Sequence, residues 1–131
     1  MKKLRHSGED QGSAAVEFAL VLPVLLVIIF GVIDFGRMLN AKITLSQATH
    51  DGARAAAVAG PDAANETITK AMGSLAPGMT ITQLSACEDA SDVDATVTVT
   101  YGFSYVTPLA VLIGLGGDGT TLSSTAVVPC Q

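Results

Sequence analysis

The residues best suited to chemistry lie where a basic N-terminus meets an apolar run. Gly12 and Ser13 precede two alanines, and such small side chains leave the peptide bond open to a protease. Glu17 puts a carboxylate at the edge of the apolar run, where burying its charge in hydrocarbon costs up to a few kcal/mol. If the chain were cut after Gly12, the new amine of Ser13 on a neighbouring copy could neutralise Glu17. The alternative is that Glu17 simply extends to the lipid headgroups.

The run that follows predicts a transmembrane helix. From Phe18 to Ile33 there is no charge, and extending it back to Ala14 gives 20 residues with Glu17 as the one charge. As a helix this segment is about 30 Å long, which matches the hydrocarbon core of a bilayer. A buried helix of a soluble domain would carry a polar face. A cleaved secretory signal would need a small-residue site, which the sequence from Asp34 to Arg37 does not offer. Three basic residues place the N-terminus in the cytoplasm: Lys2, Lys3 and Arg5.

The helical pattern continues past the membrane to Ala59, where Gly60-Pro61 is expected to end it. Pro23 is expected to kink or loosen one turn. Small residues recur every four positions on one face of the upper helix, and this face packs either on the protein's own sheet or on a neighbouring subunit. The small residues are Ala48, Gly52, Ala56 and Gly60. We therefore divide the chain into a cytoplasmic leader (1–12), a transmembrane helix (13–33), its extracytoplasmic continuation (34–60) and a small α+β domain (61–131).

The last segment predicts one short helix over 62–75 and three strands. The strands are expected at 80–85, 96–105 and 121–128, connected as a small antiparallel sheet that the upper half of the long helix covers. Between the last two strands lies an apolar stretch, 108–119, broken by glycines. The fold class is therefore α+β, with a long N-terminal transmembrane helix.

Two cysteines, Cys87 and Cys130, both follow the membrane helix and therefore lie outside the cytoplasm. Disulfides persist in that compartment, so we predict a bridge between them that ties two strand ends. Two free buried thiols and a bridge to another chain are the alternatives.

Composition and motifs disfavour several function classes. A net charge of −5, six aromatic residues and no Trp disfavour a nucleic-acid partner. His6 and His50 lie far apart without converging partners, so neither a metal site nor a catalytic triad is indicated. The acidic loop 88–94 is either a calcium site or, as we favour, a solvated loop. The glycines of 114–119 lack the strand-to-helix context of a phosphate loop. We predict no cofactor and no enzymatic activity.

The sequence resembles the TadE-like family of pseudopilins and minor pilins of the tight-adherence pilus system. The resemblance rests on Gly12-Ser-Ala-Ala-Val-Glu-Phe-Ala-Leu-Val-Leu-Pro-Val-Leu-Leu26, on Gly31, on Asp34-Phe35-Gly36-Arg37, and on Ala48-Thr-His-Asp51-Gly52-Ala53-Arg54-Ala-Ala56, and it covers about residues 11 to 57. It implies cleavage between Gly12 and Ser13 by a prepilin peptidase on the cytoplasmic face, and it implies that Glu17 acts in assembly. Its expected partners are the lipid bilayer, that peptidase and other pilins. The leader departs from the usual basic pattern because it also carries Glu9 and Asp10.

The expected function is therefore assembly or initiation of a surface pilus used in adhesion, by a single-pass protein with its C-terminal domain outside the cytoplasm. The alternative is an uncleaved membrane-anchored scaffold or binding domain, which would keep residues 1–12.

Overall fold

The computed structural model describes residues 9–89, 92–108, 114 and 119–130, with residues 9–11 as backbone alone. Lys2, Lys3, Arg5 and His6, and most of the predicted apolar stretch 108–119, lie outside the described residues. The elements run in the order α1 (Glu9–Ala59), α2 (Pro61–Met72), a 3₁₀ helix (Gly73–Gly78), β1 (Met79–Ser85), β2 (Asp94–Phe103) and β3 (Thr120–Pro129). The predicted α+β layout is confirmed.

Helix α1 is 51 residues long, or about 75 Å, and it is continuous through Pro23. It begins four residues before the predicted start at Ser13. A single glycine at position 12 costs only about 1 kcal/mol in a helix and does not stop it.

The two halves of α1 differ in burial. We call residues 12–33 the stalk, whose side chains are almost all exposed. The upper half, 34–59, packs on α2, β2 and β3. With the 3₁₀ helix and β1, these elements form the head. The buried residues of the upper half recur at helical spacing, so a single face of α1 enters the core. Besides Asp34 at the lower end of this range, they are Ala41, Leu45, Ala48, Thr49, Gly52, Ala53 and Ala56.

Helix α2 starts where the sequence predicts and ends earlier. Gly60 adopts a positive φ of 85°, and Pro61 occupies the first turn of α2, which confirms the predicted break. Gly73, with φ 53°, then ends α2 after Met72. Leu75, the last residue of the predicted helix, belongs instead to the 3₁₀ helix.

The sheet is antiparallel in the order β1-β2-β3, as predicted, and each strand boundary lies within two residues of its expected position. Strand β2 is central, and its alternating sequence turns Ala95, Val97 and Val99 into the core. The threonines between them lie on the outer face, where the Oγ1 atoms of Thr98 and Thr125 are 3.0 Å apart.

The stripe of small residues on α1 packs inside the head. Ala48 and Ala56 have no exposed surface. A Cβ at Gly52 would overlap Cγ1 and Cδ1 of Ile68, so the close approach here is between α1 and α2. The sequence led us to expect that this face contacts the sheet or a neighbouring subunit. At Gly52 it contacts α2, and the missing side chain of glycine makes room for Ile68.

Gly52→Ala is expected to lower the free energy of unfolding by about 1 kcal/mol. Overpacking against Ile68 costs roughly 1–3 kcal/mol, and this exceeds the gain of up to about 1 kcal/mol that Ala has over Gly in a helix. Urea unfolding of the full chain in detergent, followed by circular dichroism, measures the change.

Gly36→Ala is the matched control, because no atom lies within 4 Å of the added carbon. At position 36, replacing glycine with alanine should raise the free energy of unfolding by about 0.5–1 kcal/mol. Shifts of equal sign in the two variants would contradict the packing of α2 on Gly52.

Candidate functional site

The predicted cleavage position lies within α1. Gly12 and Ser13 are helical and exposed. Among the described residues, no atom outside the adjacent helix backbone lies within 4 Å of the position of a Cβ on Gly12. A protease cleaves extended backbone, so one turn of helix must open before this bond can be cut. Glycine makes that opening easier, since it stabilises a helix by about 1 kcal/mol less than alanine does.

Glu17 lies one helical turn above Ser13, on the same side of α1, at a rise of about 6 Å. Its side chain is exposed at the lower end of the stalk. A carboxylate in this position is available to a group that approaches from outside the chain.

From Phe18 to Ile33, the stalk presents an apolar surface around the whole helix. Its best 18-residue window has a mean hydropathy of 2.9, and none of it is buried within the chain. The large exposed side chains include Phe18, Leu20, Val21, Val24, Ile28 and Val32. α1 is therefore long and apolar enough to cross a membrane, and its stalk is covered by no other element of the described chain.

At the top of the stalk, Asp34 joins α1 to the loop that follows β2. Its side chain is nearly buried, with 6% of the residue exposed. The backbone N–H groups of Val106 and Thr107 donate to its two oxygens over 3.2 and 3.3 Å. The Thr107 hydroxyl donates to Oδ2 as well. Three donors thus converge on one carboxylate, which fixes the loop to the helix.

The hydroxyl of Thr107 is the main reason that the pKa of Asp34 lies below its ordinary value. Partial burial opposes this shift, while the two backbone donors and Arg37 reinforce it. Because folding lowers the pKa of Asp34, the ionised carboxylate stabilises the folded state at pH values above the ordinary carboxyl pKa. This stabilisation is lost as the pH falls through the lowered value.

Arg37 completes the contact from the next turn of α1. Its Nη1 lies 3.6 Å from Oδ1 of Asp34 and donates to the carbonyl of Ser104 over 3.4 Å. Its guanidinium also stands 5.4 Å from the ring centre of Phe103, which Tyr105 meets edge-on. Asp34 and Arg37 stand at the i,i+3 spacing of a helix, so their pairing is visible in the sequence itself. The contact with residues 104–107 has no local signal, because it joins positions about 70 residues apart.

A groove opens beside this contact, between α1 and the end of the sheet. Val32 and Ile33 form its stalk side, while Tyr101 and Phe103 form its sheet side. Its lining also includes Gly36, Arg37, Asn40, Ala41 and Leu75. The sheet therefore reaches down to the last turn of the stalk.

A disulfide joins Cys87 to Cys130 at the opposite end of the sheet, with 5.8 Å between the two Cα atoms. Beside it, the N–H of Cys130 donates to the carbonyl of Val93 over 2.9 Å. The bridge therefore links the ends of the two outer strands across the start of the central one.

The other candidate positions stand apart from these contacts. His50 is exposed on α1. In the acidic loop, Asp92 accepts hydrogen bonds from the backbone N–H groups of Glu88 and Asp89 over 2.8 and 2.9 Å. The bond from Asp89, then that from Glu88, lowers the pKa of Asp92. Within the described part of the chain, no three His, Cys, Asp or Glu residues converge as metal ligands.

Comparison with known proteins identifies a family for the N-terminal part of the chain. Residues 12–54 match the model of the family described as TadE-like protein, which confirms the resemblance on the segment that carries its motifs. No curated protein and no solved structure matches the chain. Together with the candidate membrane helix, the match supports a membrane-anchored component of the tight-adherence pilus system.

Proposed function

We propose that this chain, TadE-like over residues 12–54, is a pseudopilin or minor pilin that assembles into, or initiates, a tight-adherence pilus. The observation that carries the proposal is the stalk, which above Glu17 is apolar on every side and is continuous with a folded head. Such a stalk requires lipid before assembly and other apolar helices after it. The proposed role is structural rather than enzymatic.

Transfer from the bilayer to a filament is physically reasonable for this stalk. Lipid tails are about as apolar as leucine and valine side chains, so exchanging lipid for neighbouring stalks has little hydrophobic cost. The stability of the filament then depends on the packing of helices against each other and on pairs of polar groups between them. The head remains folded during this exchange because its core does not include the stalk.

The proposed topology places residues 1–12 in the cytoplasm, residues 13–33 in the membrane and the head outside. Three basic residues before the stalk support this orientation. The proposed partners are the bilayer, a prepilin peptidase and other pilins or pseudopilins. Use of the resulting pilus in adhesion is part of the same proposal.

The second candidate is an uncleaved anchor that carries the head as a scaffold or binding domain. The observation that favours it is the start of α1 at Glu9, which places the Gly12–Ser13 bond inside a helix. The state of the N-terminus decides between the two candidates.

Co-expression with the cognate peptidase is expected to remove residues 1–12 and leave Ser13 at the N-terminus. Gly12→Val should abolish this cleavage, because a branched side chain fills the space that the peptidase needs. Mass spectrometry of the intact chain reads the result directly.

Gly36→Val is the control, since Gly36 also lies in α1 with open space around it, but 24 residues beyond the bond. This variant should be cleaved like the unmodified chain. An intact leader on chains isolated from assembled pili would refute cleavage. An intact leader on a chain that is found only in the membrane fraction would favour the scaffold.

A further inference from the structure

The end of the sheet that adjoins the stalk stands level with the end of the uncharged run. Asp34 is the first charged residue after the run from Phe18 to Ile33. The hydrogen bonds from Val106 and Thr107 to Asp34 hold the loop at that same height on α1.

The lining of the groove also shows that the end of β2 lies at the height of the top of the stalk. Val32 and Ile33, the last residues of the uncharged run, share this lining with Tyr101 and Phe103 of β2. A bilayer that ends at the top of the stalk therefore meets the end of β2 as well.

The loop at this height, residues 104–108, has the composition of a membrane interface. Ser-Tyr-Val-Thr-Pro carries no charge, and Val106 is 68% exposed. Tyr105 and the neighbouring Arg37 supply an aromatic ring and a cation, the side chains that favour the headgroup region. The nearby Asp34 carboxylate is paired with Arg37 and three donors, so it adds little repulsion from anionic lipid.

We propose that the loop 104–108 rests in the headgroup layer of the bilayer that α1 crosses, with Val106 at the boundary of the hydrocarbon. This rests on the proposed membrane anchoring of the stalk. The protein then touches the membrane at two places, the stalk and the loop, and the Asp34 contact holds them at one height. Two contacts fix the tilt of the head before the subunit leaves the membrane.

Because the chain has no Trp, single-Trp variants report depth without background. Val106→Trp tests the loop. Val93→Trp is the matched control, since Val93 is 74% exposed and lies at the other end of β2; the ten residues of that strand separate the two sites by about 33 Å. Leu25→Trp tests the stalk.

The full-length chain is reconstituted in phosphatidylcholine–phosphatidylglycerol vesicles that contain lipids brominated near the headgroup or deep in the acyl chain. Val106→Trp should show blue-shifted emission and lose most of its fluorescence to the shallow quencher. Val93→Trp should resemble Trp in water. Tyr105→Trp, a conservative change, repeats the test should Val106→Trp misfold.

The outcomes separate the inference from the proposed function. Deep quenching of Leu25→Trp with water-like emission from both loop variants would overturn the loop contact and leave the anchor intact. Water-like emission from Leu25→Trp would overturn the anchor itself. Adding Asp34→Ala to Val106→Trp should weaken the shallow quenching, and unchanged quenching would show that Asp34 does not position the loop.

Discussion

Replacing Cys87 and Cys130 together with Ser is expected to lower the free energy of unfolding of the head by about 4 kcal/mol. The two residues are 43 positions apart, and the chain-entropy estimate for a loop of that length gives this value. Most small domains are stable by only about 5–15 kcal/mol, so the loss would be a large part of the total.

The position of the bridge explains why the loss should be concentrated in the sheet. β1 and β3 do not pair with each other, because each pairs with one side of β2. The disulfide is the covalent link between these outer strands at the end far from the stalk. Without it, the strand ends are held there by hydrogen bonds such as that from Cys130 to Val93.

Limited proteolysis and urea unfolding of the head measure the effect. The reduced, unmodified chain is the control, and it should unfold at nearly the same urea concentration as the double Ser variant. The stalk should remain inserted in vesicles in both cases. Equal unfolding midpoints for the oxidised and the double Ser chains would contradict a stabilising bridge.

The elements of the fold could be predicted because their signals are local. The uncharged run predicted the stalk, and Gly60-Pro61 predicted the junction of the two helices. The Thr/Val alternation of β2 predicted which side chains face the core. The end of α2 was misplaced because Gly73 stops the helix before Leu75, and the apolar spacing alone does not show this.

The contacts between elements could not be predicted in the same way. The spacing of Gly52 indicated a close approach, but nothing in the sequence identified Ile68 as the side chain that fills it. Likewise, Asp34 has an obvious helical partner in Arg37, while its donors, Val106 and Thr107, follow β2 much later in the chain. Only the folded arrangement brings them together.

The two ends of the sheet are secured by different means. The disulfide links the outer strands at the end far from the stalk, and the Asp34 contact holds the loop after β2 to α1 at the end beside the stalk. Between them lies a core of small and branched side chains, including Leu45, Val97 and Val99. The head therefore depends little on the stalk, which is consistent with the proposed transfer of the stalk from lipid to a filament.

Glu17→Gln is expected to leave cleavage and membrane insertion intact and to reduce incorporation into pili by roughly tenfold or more. Two copies offset by four residues of helix, about 6 Å, would bring the Ser13 amine of one level with Glu17 of the other. Removing the carboxylate leaves that amine charged in an apolar filament core. A tenfold effect requires only about 1.4 kcal/mol, less than the usual cost of an uncompensated buried charge.

Quantification of the subunit in sheared pili, relative to the membrane fraction, measures the change. Glu9→Gln is the matched control: it makes the same carboxylate-to-amide change within the leader, which the proposed cleavage removes, so its mature chain is unaltered. Loss of incorporation in Glu17→Gln alone would locate the effect in the assembled state. Equal incorporation of both variants would mean that Glu17 extends to the headgroups and pairs with no neighbour.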